Sequence, residues 1–197
     1  MTNQSEDVQE FERRSGTYEK GFFQWLFFDR IHRNAVRAVP AGLQPVSILD
    51  IGCGTGRLLR AAAKRWPTAR LTGADPAEGM VREARRLTPM AEFHVSLAEE
   101  LVLPDGYADL VFSTASFHHW QDQQQGIRQV ARVLRPGGLF VLVDIVMPLG
   151  IGKIHPHGRQ TSPAKVRWMF AQAGLEVQRQ RRVMGGFVLV TVGERKT

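Results

Sequence analysis

The chain has 197 residues and an ordinary apolar content of 43%, which fits a single α/β domain. Its net charge of +7 falls entirely within residues 153–197, while residues 1–152 are balanced. No apolar run approaches the ~20 residues that a membrane span needs, and the polar, acidic segment 2–12 does not have the pattern of a signal peptide. One cysteine, Cys53, allows no internal disulfide and indicates the reducing cytoplasm.

The first predicted element is an aromatic helix between residues 16 and 39. Apolar residues recur there at three-to-four spacing: Phe22, Trp25, Leu26, Phe28, Ile31, Ala35 and Val36. Pro40 ends the helix. We interpret residues 1–39 as a helical cap segment before a domain of residues 40–197. This helix either covers a ligand cleft or packs on the edge of a sheet.

The most informative stretch of the chain is residues 46–56. An apolar run to Ile51 predicts a buried strand, and glycines follow at alternate positions, Gly52, Gly54 and Gly56. Residues 57–64 then have a helical composition, so the pattern begins a βαβ unit. Glycines let a backbone approach a ligand closely, and the helix directs its free N–H groups at it. A tight turn without a ligand is the alternative.

The glycine spacing discriminates between nucleotide ligands. A dinucleotide fingerprint is Gly-x-Gly-x-x-Gly, whereas here Gly56 falls one position early and Arg57 stands where that pattern has glycine. Asp50, two residues before the first glycine, is also foreign to the fingerprint. A nicotinamide-dependent oxidoreductase is therefore disfavoured, although Asp75, at the end of the next predicted strand (69–75), could accept hydrogen bonds from the ribose of any nucleoside.

The rest of the chain continues the alternation of strands and helices. Helices are predicted at 77–87, 123–134 and 164–173, strands at 92–95, 108–113 and 139–144, and a closing antiparallel hairpin at 175–183 and 187–193. The segment after the fourth strand, residues 114–120, would emerge at the ligand edge of the sheet. There His118 or His119 is a candidate general base or orienting donor, with a structural role as the alternative. His155 and His157 lack a third ligand, so no metal site is predicted.

Two stretches resemble the class I S-adenosylmethionine (SAM)-dependent methyltransferases. Leu-Asp-Ile-Gly-Cys-Gly-Thr-Gly at 49–56 is similar to their motif I, and Leu-Arg-Pro-Gly-Gly at 134–138 followed by a strand is similar to a later element. The resemblance spans about residues 40–194 and implies a Rossmann-like, seven-stranded, mostly parallel sheet with helices on both faces and a C-terminal antiparallel hairpin. The cofactor-binding residues that it implies are Tyr18, Asp50, Gly52, Cys53, Gly54, Gly56, Asp75, Pro76, Met80, Leu97, Ala98, Glu99, Ser113 and Thr114.

One position departs from that family. Where its members often have Gly-Asp-Ala-Glu, with the aspartate accepting a hydrogen bond from the adenine amino group, this chain has Ser-Leu-Ala-Glu at 96–99. Leu97 leaves adenine recognition to backbone groups around Leu97 and Ala98, or to Glu99.

The resemblance implies direct transfer of a methyl group from SAM to an oxygen or nitrogen atom of a small-molecule acceptor. Such a displacement needs alignment more than acid–base assistance. The chain lacks the Asn/Asp-Pro-Pro-aromatic and Pro-Cys motifs of nucleic-acid methylators, so nucleic acid is not the expected acceptor. The basic residues of 153–197 either attract an anionic acceptor or form a solvated face. The alternatives are a SAM-binding protein without turnover and, less favoured, the oxidoreductase.

Overall fold

A computed structural model describes residues 22–146 and 161–196, with side chains from Leu26 onward. The described part begins with helix α1 (Phe22–Ala38). Tyr18, His155 and His157 lie outside the described residues, so the predictions made for them stay predictions. No helix in the described ranges is long and apolar enough to cross a membrane.

The described residues form one sheet with helices on both faces. Its strands are β1 (Ser47–Ile51), β2 (Arg70–Asp75), β3 (Glu92–Val95), β4 (Ala108–Thr114), β5 (Leu134–Ile145), β6 (Leu175–Val183) and β7 (Val188–Arg195). The helices after α1 are α2 (Arg57–Arg65), α3 (Glu78–Leu87), α4 (Gln123–Val133) and α5 (Pro163–Gln172). The spatial order is β3-β2-β1-β4-β5-β7-β6, with β1 to β5 parallel and β7 antiparallel to both β5 and β6. The predicted fold class is confirmed.

Alternate residues of the central strand supply two separate cores, because successive side chains of a strand point to opposite faces. Leu49 of β1 belongs to a cluster with α4 and α5, which contribute Val130 and Phe170 among others. Ile48 belongs to a second cluster with α1, α2 and α3, to which Ile31 contributes from α1. The first helix therefore packs on a face of the sheet and contacts α2, β4, β5 and β7.

Helix starts follow local capping chemistry. Asp122 accepts a hydrogen bond from the backbone N–H of Gln125 at the start of α4 (2.9 Å), and Ser162 accepts one from Lys165 at the start of α5 (3.2 Å). These bonds satisfy N–H groups that have no partner inside a helix.

The boundary between α4 and β5 differs most from the prediction. Helix α4 stops at Val133, and β5 begins at Leu134 rather than Leu139. The reason is tertiary: Leu134 pairs with Ala108 of β4, and the register then shifts before regular pairing begins at Leu139. The glycines of 134–138 thus lie inside an irregular strand, with Gly137 at φ 75°.

Candidate active site

A cleft opens at the carboxyl ends of β1, β2 and β4. The strand order reverses between β1 and β4, and crevices at such a reversal are where open α/β sheets bind ligands. The cleft is lined by Phe28, His32, Ile51, Gly52, Cys53, Gly54, Thr55, Arg57, Asp75, Pro76, Met80, Ser96, Leu97, Ala98, Glu99, Thr114, Ala115, Ser116, His119 and Trp120.

The glycine turn after β1 forms the floor of this cleft. Gly52, Gly54 and Gly56 have φ of 71°, 50° and 77°, the left-handed region that favours glycine. The backbone N–H groups of Gly52 and Cys53 donate to the carbonyl of Ala74 in β2 (2.8 and 3.1 Å), which ties the turn to the neighbouring strand.

Two of these glycines are required for different reasons. A Cβ at Gly52 would lie 1.9 Å from Oγ of Ser116, whereas a Cβ at Gly54 would meet no atom within 4 Å. Ser116 therefore packs directly on the turn, and it also accepts a hydrogen bond from Nε1 of Trp120 (3.2 Å). Space beside Gly54 stays open for a ligand.

Asp75 joins the two turns at the ends of β1 and β2. Its Oδ2 accepts a hydrogen bond from the N–H of Gly54 (2.8 Å) and its Oδ1 accepts one from Ala77 (3.0 Å). These two bonds fix the carboxylate of Asp75 at the lining of the cleft.

Asp50 lies behind the glycine turn and does not line the cleft. Its side chain is buried, and Oδ1 has no hydrogen-bond partner among the described residues. Burial, with the nearby charge of Asp75 as the smaller cause, raises the pKa of Asp50 well above its usual range. An unpaired buried carboxyl oxygen is costly, so Asp50 lowers the stability of the fold at this position.

The far end of the cleft is apolar on one side and polar on the other. Met80, Leu97 and Ala98 line it, and the hydroxyl of Ser96 donates to backbone carbonyls of Leu97 (3.2 Å) and Glu100 (3.0 Å), which holds the segment in a turn. Oε1 of Glu99 accepts a hydrogen bond from the N–H of Asp122 (3.1 Å). The carboxylate of Glu99 thus also positions the start of α4.

The two candidate histidines have different surroundings. His119 lines the cleft, whereas His118 does not. Nδ1 of His118 lies 2.7 Å from Oδ1 of Asp144, and its backbone N–H donates to Oδ2 of the same carboxylate (2.8 Å). The two imidazole rings are 4.1 Å apart. The His118–Asp144 pair therefore forms a fixed support beside His119.

The structure brings most of the predicted site residues to the cleft but not all of them. Gly52, Cys53, Gly54, Asp75, Pro76, Met80, Leu97, Ala98, Glu99, Thr114 and His119 line it. Asp50, Gly56, Ser113 and His118 lie behind the lining, and Ser113 is fully buried in β4.

The sequence predicted that the segment after β4 reaches the ligand edge and offered the first helix as a cover of the cleft, but several lining residues of these segments were not among the predicted site residues. Phe28 and His32 reach the cleft from α1, with their rings stacked at a centroid distance of 6.4 Å. Ala115 and Ser116 line it from the turn, where Ala115 has φ 50°, a rare conformation for a residue with a Cβ. In the sequence, the feature that could have indicated His32 is a single histidine on an otherwise apolar face of the first predicted helix.

Comparison with known proteins identifies the domain. Residues 49–142 match the family model described as a methyltransferase domain. The chain is 40% identical over 107 residues to the malonyl-acyl carrier protein O-methyltransferase of Geobacter sulfurreducens, an alignment that covers 50% of this chain and 38% of that enzyme. The chain spans less than half the length of the curated relatives that it matches.

Solved structures show the same fold at low identity. A chain from the complex between the Haloferax volcanii Trm112 methyltransferase activator and a methyltransferase is 22% identical, with a TM-score of 0.81 and coverage of 95% of this chain and 98% of that one. The 4+2 cyclase SpnF is 18% identical, with a TM-score of 0.74 and coverage of 86% and 81%. Residues 49–142, just under half of the chain, therefore match a methyltransferase domain, in agreement with the resemblance to class I SAM-dependent methyltransferases.

Proposed function

We propose that this protein transfers a methyl group from SAM to an oxygen or nitrogen atom of a small-molecule acceptor. The observation that carries the proposal is the hydrogen bond between Asp75 and the N–H of Gly54, which joins the glycine turn to the acidic end of β2 inside one cleft. The family match to a methyltransferase domain supports the reaction class.

The residues of the cleft fit the cofactor that the family uses. Asp75 supplies a fixed carboxylate at the end of β2, the kind of group that accepts hydrogen bonds from ribose hydroxyls. Met80 and Leu97 offer an apolar surface for adenine, and the open space beside Gly54 accommodates the methionine part.

When bound, SAM supplies an electrophilic methyl group on a sulfonium, so the protein's own task is alignment and proton handling. Thr114 and Ser116 border the cleft where β4 ends, and they hold an acceptor close to the glycine turn. His119 takes the proton that an acceptor O–H or N–H loses. Asp144 and His118 keep the neighbouring imidazole in place.

Calorimetric titration of the purified protein with SAM, S-adenosylhomocysteine and NAD tests the cofactor assignment. Binding of the two adenosyl amino acids without NAD binding is expected. Binding of NAD alone would contradict the proposal and favour the oxidoreductase that the glycine spacing disfavours. Transfer of a labelled methyl group from SAM to a metabolite extract, followed by mass spectrometry of the product, then identifies the acceptor atom.

A second candidate function is SAM binding without methyl transfer. One observation favours it: Leu97 stands where the family that the chain resembles often has an acidic residue at the adenine site. Tight binding of SAM with no labelled product from any extract would support this alternative, whereas one methylated product would exclude it.

A further inference from the structure

Helix α1 and the start of α2 give one end of the cleft a distinct chemistry. His32 comes from α1, and Arg57 is the first residue of α2; both line the cleft. The acidic lining residues Asp75 and Glu99 come from other segments, the end of β2 and the loop after β3. Arg57 and Arg60 are close enough to His32 to act on its titration.

His32 is a neutral side chain that packs against Phe28. Its Nδ1 is fully buried and unpartnered among the described residues, and its ring stacks on Phe28. Burial, followed by the charges of Arg57 and Arg60, lowers the pKa of His32 from 6.5 to about 3. The ring therefore carries one N–H and one lone pair at neutral pH.

The burial of Nδ1 decides which ring nitrogen carries the proton. An orphaned buried N–H is rarer in proteins than an under-used acceptor. We therefore assign the lone pair to the enclosed Nδ1 and the N–H to Nε2, the nitrogen that is not enclosed. His32 then presents a donor to the cleft beside the cation of Arg57.

We propose that His32 and Arg57 form a carboxylate-binding subsite of the cleft, with the Nε2–H and the guanidinium as its donors. A guanidinium matches the two oxygens of a carboxylate. The start of α2 adds backbone N–H groups and the positive end of the helix dipole. The inference rests on the proposed function, because the carboxylate belongs either to the amino acid part of the cofactor or to the acceptor.

Calorimetry with the full chain distinguishes the two sources. If the carboxylate is the cofactor's, His32→Leu and Arg57→Gln should each weaken SAM binding about ten-fold or more, while binding of decarboxylated SAM stays at the wild-type value. His32→Gln, whose amide replaces the donor near Nε2, should recover most of the affinity. Lys64→Gln removes an exposed charge from the same helix and is the matched control.

If the carboxylate is the acceptor's, SAM affinity should be unchanged in His32→Leu and Arg57→Gln. Malonate should then raise the melting temperature of the wild-type protein saturated with S-adenosylhomocysteine, compared with chloride at equal ionic strength. Both variants should lose that stabilisation, and Lys64→Gln should keep it.

The subsite is overturned if both variants bind SAM like the wild type and malonate stabilises none of the complexes beyond chloride. Failure of the wild type to bind SAM or S-adenosylhomocysteine at all would instead overturn the proposed function. Circular dichroism and the melting temperature of each unliganded variant confirm that it is folded before its binding is compared.

Discussion

At the scale of single residues, the two carboxylates at the ends of β1 and β2 differ in their partners. Both oxygens of Asp75 accept backbone N–H groups, whereas Oδ1 of Asp50 has no partner among the described residues. The first carboxylate holds the turn together, and the second costs stability because one of its oxygens is buried without a partner.

Asp50→Asn should stabilise the unliganded protein at neutral pH and weaken SAM binding. The pKa of Asp50 is raised in the folded state, so its contribution to stability is fully present below the ordinary pKa of about 3.8 and is lost as the pH rises through the folded-state pKa. The advantage of the variant in urea midpoint should therefore grow from pH 4 to pH 7. An advantage independent of pH would show that Asp50 is ionised in the folded protein.

His32 makes the opposite contribution in a different pH range. Its folded-state pKa of about 3 lies below the ordinary 6.5, so the unfolded chain takes up the proton first and stability falls as the pH drops from 6.5 toward 3. Between pH 7 and pH 4.5 this group should cost about 2 kcal/mol. His32→Gln should remove that part of the acid sensitivity. If the difference between the urea midpoints of the variant and the wild type is the same at both pH values, the low folded-state pKa of His32 is contradicted.

Gly52→Ala and Gly54→Ala should differ, although both glycines have positive φ. Gly54→Ala should lower the free energy of unfolding by about 1–2 kcal/mol, the cost of a left-handed backbone at a residue with a Cβ. No further loss is expected, because this Cβ would meet no atom within 4 Å. Gly52→Ala adds a clash with Ser116 and should lower the free energy of unfolding further. Thermal denaturation gives the comparison, and Ser116→Gly should return part of the loss in the Gly52→Ala background. Equal losses in both single variants would contradict the packing of Ser116 on the turn.

At the scale of elements, the site depends on how β4, β5 and α1 are placed together. The parallel pairing of β4 and β5 sets Thr114 opposite Val143, which brings Asp144 to the same edge as His118. The short turn Phe117–His119 then directs one histidine into the cleft and the other toward Asp144. A prediction of helices and strands alone cannot distinguish these two roles of the neighbouring histidines.

His119→Ala should lower turnover more than SAM affinity, because His119 lines the cleft. His118→Ala and Asp144→Asn should have smaller effects on turnover and should shift its pH profile, since they act by positioning the neighbouring ring. His94, which lies in β3 outside the cleft lining, is the matched control for replacing a histidine. Unchanged turnover in both His118→Ala and His119→Ala would assign purely structural roles to the two.

At the scale of the whole molecule, the described basic residues of 161–196 do not line the cleft. The described cations of this part include Lys165 and Arg167 on α5 and Arg181 and Arg182 on β6, all exposed. Strand β6 is the last in the sheet order, on the other side of β5 and β7 from the crevice between β1 and β4. Charged side chains on such an edge discourage pairing with another chain.

The local pattern alone was sufficient for much of the architecture. Runs of β-branched and apolar residues predicted the parallel strands, and the three alternating glycines predicted the turn, because these signals arise within a few consecutive residues. Asp75 was predicted from its position at a strand end, and the structure places it in the cleft.

Only the tertiary structure decided which side chains meet. Phe28 and His32 reach the cleft because α1 packs on the face of the sheet that also carries α2 and α3. The spacing of residues in the sequence does not predict that contact. His118 contacts Asp144, which lies 26 residues later in the chain, and does not line the cleft. The sequence by itself determined the order of strands and helices and the glycine turn, since these depend on local propensity and periodicity. The chemistry at the α1 end of the cleft depends on long-range packing, and no local pattern contains it.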